Sequence, residues 1–332
     1  MEKFLNDYIK SPSFRKSLGI EENSHIELVA LGQGEYNVNY SFTHPQSGKK
    51  LVLRRNTGSQ LHLEDQIGYE FSALKDLEPS GRSPKAYFCD SEKGIMVMEW
   101  LPGRALDYKT ELPIAAEILA DIHCVPVPEN TKLINPGCPL QSIYDECLEM
   151  AGHYLTWSEA DKEVCNYVNQ LIEEIGKLPL QSLSKTPLCI VNTELNSANF
   201  LINPQGRSYL IDWEKPLLSE PAQDLGHLLV PTTTYWKTDV ILSPAEIKDC
   251  IEHYTKAVNG RIDISDLKER FPLYFTVTCL RGITWCAMAM REYSTPGRAI
   301  VNDFAFNKIK DYLKIDFLDN ILNNYVKRDF LK

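Results

Sequence analysis

The chain changes character at Pro102-Gly103, and that change constrains its fold more than any other feature. Before it, residues 26–31 (IELVAL), 36–42 (YNVNYSF), 50–54 (KLVLR), 86–89 and 95–100 (IMVMEW) are short apolar runs bounded by turn residues, which predicts five strands. Residues 3–18 are amphipathic, and Ile67, Phe71, Leu74 and Leu77 recur at helical spacing across 62–77. One helix therefore precedes the first strand and another is inserted between the third and the fourth. After the change, helices are expected over 112–123, 140–154, 159–176 (opened by Ser158), 244 to about 260, 266–293 with a break, and 302–326. Ser243-Pro244-Ala245-Glu246 is a capping box with proline at the first helical position. The exception is 188–213, where two apolar strands flank a polar loop and NPQGRS predicts a hairpin turn. The expected fold class is α+β and two-lobed. A small β-rich N-terminal lobe with its linker occupies 1–103, and a larger, mainly helical lobe occupies 104–332.

Several functions are disfavoured at the level of composition. A chain of 332 residues with 43% hydrophobic and 24% charged residues suits two ordinary globular domains. The net charge of −10 argues against a nucleic-acid binder and against an anionic membrane surface, both of which need a basic patch. No apolar run approaches the roughly 20 residues of a membrane span. The start, MEKFLNDYIKSPSF, mixes charges throughout and has no apolar signal core, so a cytoplasmic location is expected. The nine cysteines are scattered without a C-x-x-C pair, which disfavours both a disulfide framework and structural zinc. Residues 1–103 carry a net charge of −2 and the remainder −8. A cationic small-molecule partner on the C-terminal part suits that field; so does a solvated acidic surface that serves only solubility.

Three local patterns carry chemistry. In LGQGEYNVNY, Gly32 and Gly34 between two strands allow close approach of backbone to phosphates, and equally allow a plain tight hairpin. Asn37 stands where a dinucleotide fingerprint would place its third glycine, and a strand rather than a helix follows. Arg54 ends the strand LVLR, and Glu70 follows sixteen residues later in the next helix. A strand cation can hold phosphates while a helix carboxylate pins it; a simple surface ion pair fits the same spacing. Finally, VNTELNSANFLI (191–202) and YLIDWE (209–214) put Glu194 and Asn199 on a loop and Asp212 at a strand end. Hard oxygen ligands of this kind suit Mg²⁺, and a carboxylate five residues before the Asn can deprotonate a hydroxyl.

Taken in order along the chain, LGQGEYNVNY, LVLRRN, YEFSALKDL, VMEWLPG, ILADIH, ELNSANFLI, LIDWE and EPAQDLGHL resemble the aminoglycoside phosphotransferase and choline kinase-like family, the small-molecule branch of the protein-kinase-like fold. The resemblance spans about Val29 to Leu229. It implies a kinase that uses ATP or GTP with Mg²⁺. The γ-phosphoryl group would pass to a hydroxyl of an amino sugar, a choline-like compound or a metabolite sugar. Gly32, Gly34, Asn37, Arg54 and Glu70 would serve the nucleotide phosphates, and Met98, Glu99 and Leu101 the adenine. Asn199 and Asp212 would hold the metal, Glu194 would be the catalytic carboxylate, and Asp224 would brace the catalytic region. One departure bears on activity. The family's His-Gly-Asp reads Asn192-Thr193-Glu194 here. Glu keeps the charge but moves it by about 1.5 Å, and misplacement of about 1 Å can cost on the order of 100-fold in rate. A nucleotide-binding pseudokinase with a regulatory role is the alternative reading. His123 is expected to be a packing or capping residue. Tyr235, Trp236 and Trp285 are expected in the helical core, where aromatic rings can also hold an amine.

Overall fold

The structure, a computed structural model, describes residues 2–33, 36–59, 61–295 and 302–328. The chain divides into two compact units. Met1–Arg104, Val125–Leu133 and Leu201–Pro216 form the first; Ala105–Cys124, Ile134–Phe200 and Leu217–Lys332 form the second.

In the first unit, α1 (Glu2–Tyr8) and α2 (Pro12–Leu18) precede β1 (Val29–Gln33), β2 (Asn37–Thr43), β3 (Lys50–Asn56), β4 (Ala86–Asp90) and β5 (Ile95–Glu99), with α3 (Gln66–Leu77) inserted after β3. The strands form one antiparallel sheet in the order β1-β2-β3-β5-β4. Alternation along each strand makes its two faces chemically different. Tyr40, Phe42, Leu51, Leu53, Ile95 and Val97 close a core with Leu5, Ile9 and Phe14 of the two leading helices. The opposite face carries Asn39, Arg54 and Met96, which are register partners on β2, β3 and β5. The single helix expected over 3–18 is in fact two. Ser11 Oγ accepts a hydrogen bond from Phe14 N at 3.4 Å, and Pro12 stands at the first helical position, so the helix restarts there.

At the change of character, Gly103 is a necessity. Its φ is 154°, and a Cβ there would lie 2.8 Å from the Leu201 backbone. Residues 125–133 join the first unit through Thr131 Oγ1, which donates to Asp76 Oδ2 of α3 at 2.7 Å.

The second unit contains α4 (Leu112–His123), α5 (Pro139–Leu155), α6 (Lys162–Gly176) and β6 (Cys189–Val191). After the ribbon of β7 (Phe200–Leu201) and β8 (Tyr209–Leu210) come β9 (Leu217–Ser219), α7 (Pro221–Leu229), α8 (Pro231–Thr238), α9 (Pro244–Val258), α10 (Leu267–Ser294), α11 (Asp303–Tyr312) and α12 (Ile315–Asn320). The expected hairpin over 188–213 is therefore split. β6 pairs with β9, and NPQGRS joins β7 to β8, because residues 192–199 are held by side chains rather than by a strand ladder. Helix α6 is capped by Asp161 instead of Ser158; its Oδ1 accepts from Glu163 N at 2.8 Å and Val164 N at 3.2 Å. Helix α10 runs unbroken through Pro272, which lies early enough that a long buried face still follows it. Among the described residues, α10 alone is long and apolar enough to cross a bilayer, but most of its apolar stretch is buried inside the protein. The helix expected over 302–326 breaks at Leu313-Lys314 into α11, α12 and a π-helical turn, Ile321–Val326. That break lets Tyr312 and Leu318 both reach the interior. The capping box at Ser243 and Glu246 is present as expected.

Candidate active site

In the first unit the polar residues gather around one buried guanidinium. Arg54 is 5% exposed. Its Nε donates to Asn39 Oδ1 at 3.1 Å and its Nη1 to Glu70 Oε1 at 2.6 Å. Asp212 Oδ1 lies 3.5 Å from Nη2, and Glu214 Oε1 lies 3.6 Å from Nη1. The sheet dictates part of this: Asn39 is the cross-strand partner of Arg54, and Asn37 lies two residues away on the same face. Asn37 Nδ2 donates to Glu214 Oε1, while Asn37 Oδ1 accepts from Asn56 Nδ2 at 3.1 Å. Asp212 and Glu214 share a side of the chain because Trp213 between them is turned inward, 1% exposed, its Nε1 donating to Leu210 O at 3.1 Å. Asp212 has φ 65°, a left-handed turn that Asp tolerates better than most residues.

The electrostatics of this cluster are unbalanced, with three carboxylates against one cation. Burial works against the charge of Arg54, but Glu70, Asp212 and Glu214 together push its pKa up. Burial also raises Glu70, outweighing the pull of Arg54. Glu214 is pushed up to about 8, first by burial and then by the neighbouring Asp212 charge. Glu70 Oε2 is buried without a hydrogen-bond partner. Excess negative charge and an unpaired carboxylate oxygen fit a divalent cation. No group of three or more His, Cys, Asp or Glu side chains arranged as metal ligands occurs among the described residues. Mg²⁺ in nucleotide sites takes only one or two carboxylates plus phosphates, so such a group is not required.

The second unit holds the other cluster. The loop after β6 is fixed almost entirely through its backbone. Asp224, fully buried on α7, accepts from Asn192 N at 2.9 Å and Thr193 N at 3.0 Å. Asn192 Oδ1 accepts from Glu194 N at 3.0 Å, and His227 Nδ1 accepts from Leu195 N at 3.1 Å. Asn199 Nδ2 donates to Glu194 O at 2.7 Å, so the amide is turned toward the loop by its nitrogen. Thr193 has φ 71°, an outlier for a β-branched residue that persists only where its surroundings enforce it.

His123 is buried between Asp224 Oδ2, 3.2 Å from Nε2, and Tyr254 Oη, 3.0 Å from Nδ1. An ionised Asp224 makes Nε2 the donor and Tyr254 the donor to Nδ1. Arg281 of α10 donates from Nε and Nη2 to Glu146 of α5 at 3.0 and 3.3 Å. Burial opposes its charge, while Glu146 and then Glu194 raise its pKa.

The structure thus brings together Asn37, Arg54, Glu70 and Asp212 in one unit, and Glu194 and Asn199 in the other. Gly32 lies on β1, where an added Cβ would meet nothing within 4 Å; Gly34 lies outside the described residues. Met98 and Glu99 end β5, and Leu101 is buried just beyond it. Glu99 N donates to Lys85 O at 2.8 Å. Tyr235, Trp236 and Trp285 belong to an aromatic cluster with Tyr312 and Phe317. One face of Tyr235 is already taken by Lys308 Nζ, 3.8 Å from the ring centre. Asn39 and Arg281 were not expected from the sequence, and Glu214, expected to touch substrate or solvent, instead lies against Arg54. Alternation around Trp213 was available as a signal for Glu214, whereas nothing local marks Arg281.

The model of the phosphotransferase enzyme family matches residues 27–255. The chain belongs to that family. No curated protein is significantly similar to it in sequence. Among solved structures, choline kinase LicA from Streptococcus pneumoniae is 20% identical with a TM-score of 0.60, over 96% of this chain and 99% of that one. Choline kinase from Cryptosporidium parvum Iowa II is 13% identical with a TM-score of 0.69, over 100% and 98%. The streptomycin–ATP–APH(2")-IIa ternary complex is 12% identical with a TM-score of 0.57, over 100% and 98%. At these identities the likeness is one of fold. It agrees with a kinase-like architecture, a small antiparallel sheet lobe followed by a mainly helical part, which is what family members carry.

Proposed function

We propose that this phosphotransferase is a small-molecule kinase that moves the γ-phosphoryl group of ATP or GTP to an alcohol hydroxyl. The observation that carries this reading is the pair of polar clusters, each built on a rigid backbone and each matching a different half of the reaction. The Arg54 cluster suits a triphosphate and its cation. The 192–199 loop suits an acceptor hydroxyl. ATP is the nucleotide of the streptomycin–ATP–APH(2")-IIa complex, which supports it as the donor here.

In this reading Arg54, held by Glu70 and Asn39, faces the phosphates together with Gly32 and Asn37, and Gly34, outside the described residues, keeps the phosphate role the resemblance implies. The open space over Gly32 supports close approach of a ligand there. Because Glu99 N–H is committed to Lys85 O, adenine is read by backbone groups further along, up to Leu101. Asp212, joined by Glu214 of the same segment, would hold Mg²⁺, which when bound would neutralise phosphate charge. Glu194 accepts the proton of the acceptor hydroxyl as its oxygen attacks phosphorus and the nucleoside diphosphate departs. Positioning and charge neutralisation supply most of the barrier reduction in such transfers. The acceptor is an amino sugar, a choline-like compound or a metabolite alcohol.

The test is consumption of ATP and GTP with Mg²⁺ across a panel of hydroxylated acceptors, alongside Glu194→Gln. Turnover with one acceptor class, abolished in the variant while nucleotide binding survives, is expected. Nucleotide binding without turnover on any acceptor would instead make the chain a regulatory nucleotide binder.

A further inference from the structure

The segment Asp212–Pro216 carries two carboxylates yet has no regular secondary structure. Its backbone is anchored by one helix. Gln66 Nε2 of α3 donates to Glu214 O at 2.8 Å, and Tyr69 Oη of the same helix donates to Pro216 O at 2.5 Å. Both side chains are buried, Gln66 6% and Tyr69 7% exposed. Ser59 Oγ donates to Gln66 Oε1 at 2.6 Å, which fixes the amide with its nitrogen toward residue 214. Residues 66, 69 and 70 share one helix face, so the helix that pins Arg54 through Glu70 also pins the backbone of the carboxylates facing Arg54. Both of these anchors reach main-chain carbonyls.

We propose that Gln66 and Tyr69 are positioning residues that set the spacing of Asp212 and Glu214, and through it the Mg²⁺ dependence of nucleotide binding. The inference rests on the reading of Asp212 as a metal carboxylate. Loss of either hydrogen bond frees one end of a five-residue irregular segment. The carboxylates then no longer present a fixed separation to a cation that demands near-ideal octahedral geometry. Nucleotide binding in the absence of metal depends on Arg54 and the glycine turn rather than on the 212–216 segment.

The experiment is calorimetric titration of ATP into the full chain at graded Mg²⁺ and in EDTA, for the parent, Tyr69→Phe and Gln66→Met. Both substitutions keep size and apolar contacts, and a melting curve of each confirms folding. The Mg²⁺ concentration for half-maximal ATP binding is expected to rise about five- to tenfold in each variant, the worth of about one hydrogen bond. Affinity in EDTA is expected to stay within about twofold of the parent. A purely structural role would lower the melting temperature and leave the ratio of the two affinities unchanged, which would overturn the proposal. A parent that binds ATP equally with and without Mg²⁺ would overturn the reading of Asp212 and the proposal with it. A Mg²⁺-dependent parent matched by both variants would overturn the proposal alone.

Discussion

Asp224→Asn isolates the residue that shapes the loop bearing Glu194. The carboxylate is fully buried and accepts three hydrogen bonds: Asn192 N at 2.9 Å, Thr193 N at 3.0 Å and His123 Nε2 at 3.2 Å. An amide in its place has one accepting oxygen. Whichever way it is turned, its NH₂ confronts a backbone N–H of the loop. His123 can exchange tautomers with Tyr254 and adapt, but a backbone donor cannot. One stranded buried donor costs about 1–3 kcal/mol, and the surviving bonds lose the assistance of a full charge, for a total of about 3–5 kcal/mol. That is a large share of a typical stability of about 5–15 kcal/mol. It should appear in urea denaturation as a lower midpoint with little change in slope. The kinetic consequence follows from the chain of contacts. Glu194 N is bonded to the side chain of Asn192, so release of residues 192 and 193, including the left-handed Thr193, carries to Glu194. A shift of about 1 Å would lower turnover on the order of 100-fold. Nucleotide affinity in EDTA, which rests on the Arg54 cluster and not on Asn199, should hold within about threefold. A variant that unfolds within about 1 kcal/mol of the parent, the net worth of an ordinary hydrogen bond, would refute this account of the loop.

Three other outcomes are expected. Glu220→Gln should destabilise the chain by about 3–5 kcal/mol, because Arg270 makes two hydrogen bonds to Glu220, at 2.6 and 2.5 Å, in a buried setting; replacing both residues by Met should recover most of the loss in denaturation curves. Glu246 is held below its ordinary carboxylate range, chiefly by the Ser243 backbone N–H, so its share of stability is full above about pH 4.5 and fades as pH falls through the lowered value; the stability gap between parent and Glu246→Gln should therefore close in acid. Glu194→Asp should reduce turnover by about 100-fold rather than restore a faster enzyme, and a gain in rate on the best acceptor would show that the loop is shaped for the shorter acid.

Legibility in the sequence followed the range of the interaction. The five strands and α3 could be read because alternation and helical spacing are local, and Arg54 with Glu70 because the strand and the following helix are neighbours in the chain. Glu214 was within reach of the same logic: a buried Trp between two acids places both acids on one side. The pairing of β6 with β9 was not, since three-residue strands are too short to show a period, and the residues between them look like a continuing hairpin. The two leading helices were merged because amphipathic spacing continues across Ser11-Pro12, and only the cap chemistry marks the break. Arg281 lies 87 residues beyond Glu194 on a helix whose apolar pattern gives no hint of a charge facing inward. A contact of that kind is set by how α5 and α10 pack, and packing leaves no short-range signature.

If, as the resemblance implies, Glu194 stands in for an Asp, the loop of the second unit bears on how it can act. A loop that had simply shifted to compensate for the longer side chain would be held loosely around residue 194. Instead Glu194 is bonded on both sides of its own backbone, N–H to Asn192 Oδ1 and carbonyl to Asn199 Nδ2. Its neighbours are fixed by Asp224 and His227. Only the side-chain torsions remain, and a Glu has one more of them to order than an Asp, at an entropic cost. Arg281, its own position set by two hydrogen bonds to Glu146, adds a favourable charge interaction with Glu194. With the backbone fixed, the proposed role makes the extra methylene a matter of reach. In that proposal the proton-accepting oxygen would stand up to about 1.5 Å farther from the loop than an Asp would place it. An acceptor hydroxyl would then bind correspondingly farther out, and shortening residue 194 alone is expected to open a gap that costs turnover.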